Sequence, residues 1–179
     1  MNSFFENPLQ EKKLSFQFAE GEKTTRYEKW DSHINIFQLE ALKAVDFICL
    51  ISEAYMVIFT EIKDFGHIDH AGRYGQGLFS RELADDVAQK LRDTYDGIGR
   101  ITDKSPHDEY AFVCALGTAA RRFVFHWEFK PSISQHQRLW HMQTMKMKLR
   151  KLLHGINTHI RIENMLDNPS KYWTVTRRK

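Results

Sequence analysis

Apolar and polar positions alternate with two different periods along this chain. Val45, Phe47 and Cys49 alternate against Asp46 and Ile48, which predicts a strand over residues 43–51. Ser52 and Glu53 break the run. Residues 54–65 then read as a second, longer strand rich in Val, Ile, Phe and Tyr, close enough to the first to form an antiparallel hairpin. After a glycine-containing loop over 66–79, the period lengthens. Ser80 is placed to cap a helix in which Leu83, Val87, Leu91 and Tyr95 recur at helical spacing up to Gly97. Residues 106–120 predict another helix with Tyr110, Val113, Leu116 and Ala120 as its buried line. Period two returns over 122–130, where Phe123, Phe125, Trp127 and Phe129 face one way and Val124, His126 and Glu128 the other. Pro131 stops that strand. Ser134 caps a long helix to about residue 153 with Leu139, Met142, Leu149 and Leu153 inward, and Gly155 ends it. Short strands are expected at 158–163 and 172–176.

The beginning of the chain is less periodic. Residues 1–23 read as a polar arm with scattered aromatics that packs loosely or pairs with a partner. A helical turn is expected within 24–31 and a short strand at 34–37. The sum is an α/β (α+β) fold with a central mixed sheet flanked by helices. No repeat or linker divides residues 24–179, which read as a single domain.

Composition narrows the class. At 179 residues, 42% hydrophobic and 27% charged, the chain has the balance of a globular protein with one sizeable core. Its longest weakly polar runs fall far short of the roughly 20 residues a membrane helix needs. Glu6 precedes any apolar block, so no secretory signal is read. Cys49 and Cys114 both sit in apolar runs and read as buried free thiols of a reducing compartment, which points to the cytoplasm. The net charge of +3 does not by itself demand a polyanionic partner. Lys146, Lys148, Arg150 and Lys151, the terminal Arg177, Arg178 and Lys179, and Arg121 with Arg122 could supply phosphate contacts on one side of a compact domain, although composition alone favours ordinary solvated charge. The 13 phenylalanines and four tryptophans predict an aromatic core and are not in themselves a sign of base stacking.

The sharpest chemical feature is Thr60-Glu61-Ile62-Lys63-Asp64-Phe65, at the end of the second hairpin strand. Strand side chains alternate faces, so Glu61 and Lys63 point the same way and share that face with Phe59. A carboxylate and an ammonium there must be paired or used. If the turn centres on residues 52–55, Asp46 of the preceding strand comes opposite Glu61 within a residue or two. Asp46 and Glu61 then offer two hard oxygen ligands for Mg²⁺ or Mn²⁺, with the Ile62 backbone carbonyl as a third. Lys63 can orient a water or stabilise charge on a transferred phosphoryl group.

Lys43-Ala44-Val45-Asp46-Phe47-Ile48 followed by Phe59-Thr60-Glu61-Ile62-Lys63-Asp64-Phe65 resembles the core motif of the PD-(D/E)xK nuclease superfamily, over roughly residues 27–95. Asp46 matches the motif's first acid, Glu61 the second and Lys63 its lysine. Val45 stands where the family commonly has proline. The resemblance implies a restriction-endonuclease-like αβββαβ core and metal-dependent phosphodiester hydrolysis of nucleic acid, DNA in preference to RNA. It also implies an acid from the first helix, Glu28 or Glu40, and a polar group from the helix after the motif, Lys90 or alternatively Gln89. Arg92 and Asp93 could form a local pair behind the site, with a surface pair as the blander reading. A catalytically inactive module that keeps the fold to bind nucleic acid or a protein complex is the main alternative. An unrelated α/β protein with a solvated Glu61–Lys63 pair is another.

His67 and His70, near Asp64 and Asp69, invite a zinc reading, but a glycine-filled loop and no compact cysteine pair argue against one. Phosphate contact by Arg73 or His67 fits that loop better than zinc, and plain loop polarity fits it best. A homodimer is expected, because duplex cleavage by a small nuclease needs two sites and Phe4, Phe5, Phe16 and Phe18 lie in a polar arm. A partner protein could supply specificity; no membrane partner is expected.

Overall fold

A computed structural model describes residues 4–40, 42–66, 79–117, 119–156 and 159–178, with the side chains of 36–40 outside that set. The chain opens with strands β1 (Leu9–Glu11), β2 (Leu14–Phe18) and β3 (Lys23–Thr25). A 3₁₀ turn at Tyr27–Lys29 leads into helix α1 (Asp31–Glu40). The hairpin β4 (Phe47–Ile51) and β5 (Met56–Asp64) follows, then α2 (Arg81–Ile98), α3 (His107–Leu116), β6 (Ala120–Glu128), α4 (Gln135–Leu152), β7 (His159–Glu163) and β8 (Trp173–Arg177).

The fold is mixed α/β. A five-stranded sheet runs β3-β4-β5-β6-β7, antiparallel through β5 and parallel from β5 to β7, and a small antiparallel sheet runs β1-β2-β8. The central sheet is covered on both faces, which is why every residue of β4 is buried rather than every second one. On the front face Ile48, Val57, Phe59 and Phe125 pack with Leu83 and Val87 of α2 and Met145 and Leu149 of α4. On the back face Phe47, Cys49, Ile58 and Ile62 pack with Phe16, Phe18 and Trp173 of the small sheet. No helix among the described residues is long and apolar enough to cross a membrane.

Ser80 caps α2 by accepting the Leu83 N–H at 3.0 Å, and Ser134 and Gln137 form a capping box at α4. The hairpin pairs in antiparallel register, Phe47 opposite Thr60. Four expectations are corrected. Residues 34–37 lie in α1, not in a strand. Glu109 of α3 accepts the Asp31 N–H at 2.6 Å and reaches the Ser32 N–H at 3.3 Å, so the donors that start α1 are satisfied by a residue 78 positions away. That same contact turns α3, whose buried line is Glu109, Phe112 and Leu116, leaving Tyr110 outward. Residues 9–18 are not a loose arm: Leu14 and Phe16 are fully buried, and Phe4 and Phe5 pack against Trp30 and Phe112. The aromatic premise for a homodimer therefore falls away. Cys49 is buried, but Cys114 is exposed. Relative to an αβββαβ order, β4-β5-α2-β6 fits with α3 inserted, while α1 lies between β3 and β4.

Candidate active site

Strand parity sends Glu61 and Lys63 to the front face, toward α2, and Ile62 and Asp64 to the back. Extending the Phe47–Thr60 register by one step sets Asp46 opposite Glu61. Asp46 sits just before β4, where α2 fixes the incoming chain. Asp93 accepts the Lys43 N–H at 2.9 Å and the Thr94 hydroxyl accepts the Val45 N–H at 3.0 Å. Across the hairpin, Asp46 Oδ2 accepts the Ile62 N–H at 2.6 Å. The N–H and C=O of one strand residue point to the same side, so the Ile62 carbonyl also faces the Asp46 edge.

Lys90 arrives from α2, and its ammonium lies 2.8 Å from Glu61 Oε1. Lys63 Nζ lies 2.8 Å from the same oxygen, and Lys90 Nζ is 3.9 Å from Asp46 Oδ1. Two carboxylates and two ammonium groups thus share one cluster. Glu61 is its floor, wholly buried, while Asp46, Lys63 and Lys90 keep 17, 17 and 19% of their side chains exposed. The cluster is recessed but open.

Its electrostatics are unequal. Burial and the neighbouring Glu61 carboxylate push Asp46 up to about 8, against the pull of Lys90 and of the Ile62 N–H. Burial disfavours the Lys90 charge, but Glu61 and Asp46 outweigh it and hold Lys90 above the ordinary lysine range. Glu61 Oε2 is buried without a hydrogen-bond partner. Glu61 Oε2, buried and without a partner, and the Asp46 carboxyl leave carboxylate oxygens that a further ligand can take. A divalent cation would be held by Asp46, Glu61 and the Ile62 carbonyl, and Mg²⁺ commonly takes only one or two protein carboxylates. Among the described residues no group of three or more His, Cys, Asp or Glu gathers for a metal.

Of the two candidates on α2, Lys90 joins the cluster. Gln89 instead donates to Asp93 at 2.6 Å. Glu28 is exposed beside Arg26, and Glu40 closes α1 with its side chain outside the described set. Asp64, on the back face, makes a two-pronged ion pair with Arg177 at 3.0 and 3.1 Å and is spent there. His67, Asp69, His70 and Arg73 lie outside the described residues. The basic groups do not merge on one side: Arg177 belongs to the back sheet and Arg122 to the back face beside Tyr172, whereas Lys146–Lys151 ride on α4 in front.

Asp93 supports the site from behind, as one of its two sequence readings allowed but without Arg92, and Thr94 is a supporting residue that the sequence reading did not name. Asp93 is buried, not a surface partner of Arg92, whose guanidinium goes to the Leu152 carbonyl. The available signal was helical spacing: Thr94 lies four residues after Lys90, and its hydroxyl also donates to the Lys90 carbonyl at 2.8 Å. Comparison of the chain with protein-family models, with curated proteins and with solved structures finds no match.

Proposed function

We propose that this chain is a divalent-metal-dependent phosphodiesterase acting on nucleic acid, with DNA the substrate that its motif resemblance implies. The observation that carries the reading is the convergence of Lys90 from α2 with Asp46, Glu61 and Lys63 from the hairpin, around a Glu61 oxygen with no hydrogen-bond partner. Asp46, Glu61 and the Ile62 carbonyl would hold Mg²⁺ or Mn²⁺. Such an ion supplies an acidified water and offsets charge on the phosphoryl oxygens. The chain's own groups do the rest. Lys90 and Lys63 hold the Glu61 carboxylate in place through charge-assisted contacts at 2.8 Å. Lys63, on the same strand face as Glu61, aligns the attacking water and neutralises developing charge. Asp93 and Thr94 hold the Lys43–Val45 backbone so that Asp46 stays in register with Ile62.

The test is cleavage of plasmid, linear duplex and single-stranded DNA and RNA with Mg²⁺ or Mn²⁺. Glu61→Ala abolishes it, and Lys63→Ala lowers turnover by about 10²-fold or more with metal affinity retained. Undiminished cleavage by Glu61→Ala rules this site out. The rival reading is a non-catalytic nucleic-acid or protein-complex module. Its favouring observation is that Lys63 and Lys90 already neutralise Glu61. Calorimetry that finds no divalent binding to wild type, with no cleavage of any substrate, selects that reading.

A further inference from the structure

The outer face of α4 combines exposed apolar side chains with a run of basic ones. Its buried line is Met142, Met145 and Leu149, and the opposite stripe exposes Trp140, Gln143 and Met147. Trp140 is 57% exposed, whereas Trp30, Trp127 and Trp173 are buried. The helix contains no Asp or Glu, and Lys146, Lys148, Arg150 and Lys151 crowd its second half. Its one other cation, Arg138, is spent on Asp167 at 2.6 and 2.9 Å. An exposed indole on an acid-free basic helix suits a polyanion that carries flat apolar groups. It suits a second copy of this chain poorly, because a two-fold contact would set two basic faces against each other.

The stripe also lies near the candidate active site. Trp127 is the register neighbour of Lys63 on β6, His141 packs 6.4 Å from Trp127, and the Trp140 ring sits 4.8 Å from His141. Through Trp127, itself wholly buried, these contacts put Trp140 on the half of α4 that lies nearer Lys63.

We infer that α4 is a binding track for single-stranded nucleic acid, with Trp140 stacking an unpaired base and Lys148, Arg150 and Lys151 contacting the phosphates. One physical argument and one observation favour a single strand over a duplex. Paired bases do not offer their faces to a side chain on a convex helix. The cluster is also recessed, with Glu61 wholly buried, so a flexible strand enters it where a rigid duplex is held off. A single strand needs one site per molecule and no dimer. The inference rests on the phosphodiesterase reading of the Asp46–Glu61 site, whose substrate it names.

The test separates binding from cleavage. In EDTA, a 20-nucleotide oligo(dT) and a blunt 20-base-pair duplex are titrated into the protein while tryptophan emission is followed. The oligo(dT) should quench the red-shifted emission of Trp140 and bind more tightly than the duplex. Trp140→Ala should weaken oligo(dT) binding roughly tenfold, the scale of one lost stacked base, and Trp140→Phe should restore it to within about threefold. Lys148→Glu with Lys151→Glu should weaken binding further and flatten its salt dependence. Unchanged affinity in Trp140→Ala, tighter duplex binding without quenching, or a dimer in light scattering that Trp140→Ala dissolves would each overturn the inference. Trp140-dependent binding by a protein that cleaves nothing with Mg²⁺ or Mn²⁺ supports the track and removes the phosphodiesterase reading instead.

Discussion

Replacing Asp46 by Asn should stabilise the metal-free protein, and the gain should grow with pH. Asn keeps the oxygen that accepts the Ile62 N–H and removes the charge that burial and Glu61 oppose. Because the carboxyl is raised from 3.8 to about 8, the native state holds a proton that the unfolded chain releases. The penalty for ionising Asp46 is therefore absent below about pH 4, builds as pH rises, and is complete above about 8. Each pKa unit is ~1.36 kcal/mol, so the full displacement sets an upper bound of ~6 kcal/mol. The 17% of the side chain that remains exposed lets water offset part of this, and on the order of 2 kcal/mol is expected at pH 8.5. The assay is urea unfolding of both proteins in EDTA from pH 4 to 8.5. Wild-type stability should fall relative to Asp46→Asn across that window, and Mg²⁺ at pH 8.5 should narrow the gap by stabilising wild type alone. Parallel stability curves, or an Asn variant weaker than wild type at pH 8.5, would refute the electrostatic argument.

Arg177→Ala should destabilise the protein by about 3 kcal/mol in urea unfolding, because it leaves the buried Asp64 carboxylate unpaired; Asp64→Asn in the same chain should recover part of the loss. Gly66→Ala should act in the same direction, since its Cβ would lie 2.5 Å from the Arg177 guanidinium and displace it. In native buffer a thiol reagent should titrate one cysteine, the exposed Cys114, and a second only after unfolding. Burial pushes the Cys49 thiol up to about 12, with the Thr24 hydroxyl 3.2 Å away, so two fast-reacting thiols in the folded protein would contradict its burial.

The front half of the molecule was legible in the sequence because its signals are local. Serine caps, the long helical period of α2 and the aromatic alternation of β6 each lie within one window, and the short turn at 52–55 sets the hairpin register that brings Asp46 to Glu61. Where the reading failed, the deciding contact is distant. α1 is started by Glu109, and the N-terminal strands exist because β8 pairs with β2. The outward turn of Leu139 on α4 follows from the helix packing on β7 and α2. Within the site, Lys90 was readable from its spacing to Leu83 and Val87. For Asp93 the choice between a place behind the site and the surface stayed open, since a polar residue on a helix gives no sign that it will be buried under another segment's backbone N–H.

The pairing of β2 with β8 has a consequence for how this protein is made. Leu14 meets Arg177 across about 160 residues, whereas the β4–β5 hairpin closes over a four-residue turn. Local pairs form early and distant ones late. The hairpin that sets Asp46 beside Glu61 is therefore synthesised and paired long before the back of its sheet can be covered. At ~5–20 residues per second, translation from Asp64 to Arg177 takes on the order of ten seconds. During that interval Phe47, Cys49 and Ile58 present an apolar face with its final cover incomplete. A nascent chain in this state is a substrate for chaperones, and slowing the ribosome ahead of β8 should lower the yield of soluble protein more than the same delay ahead of β2.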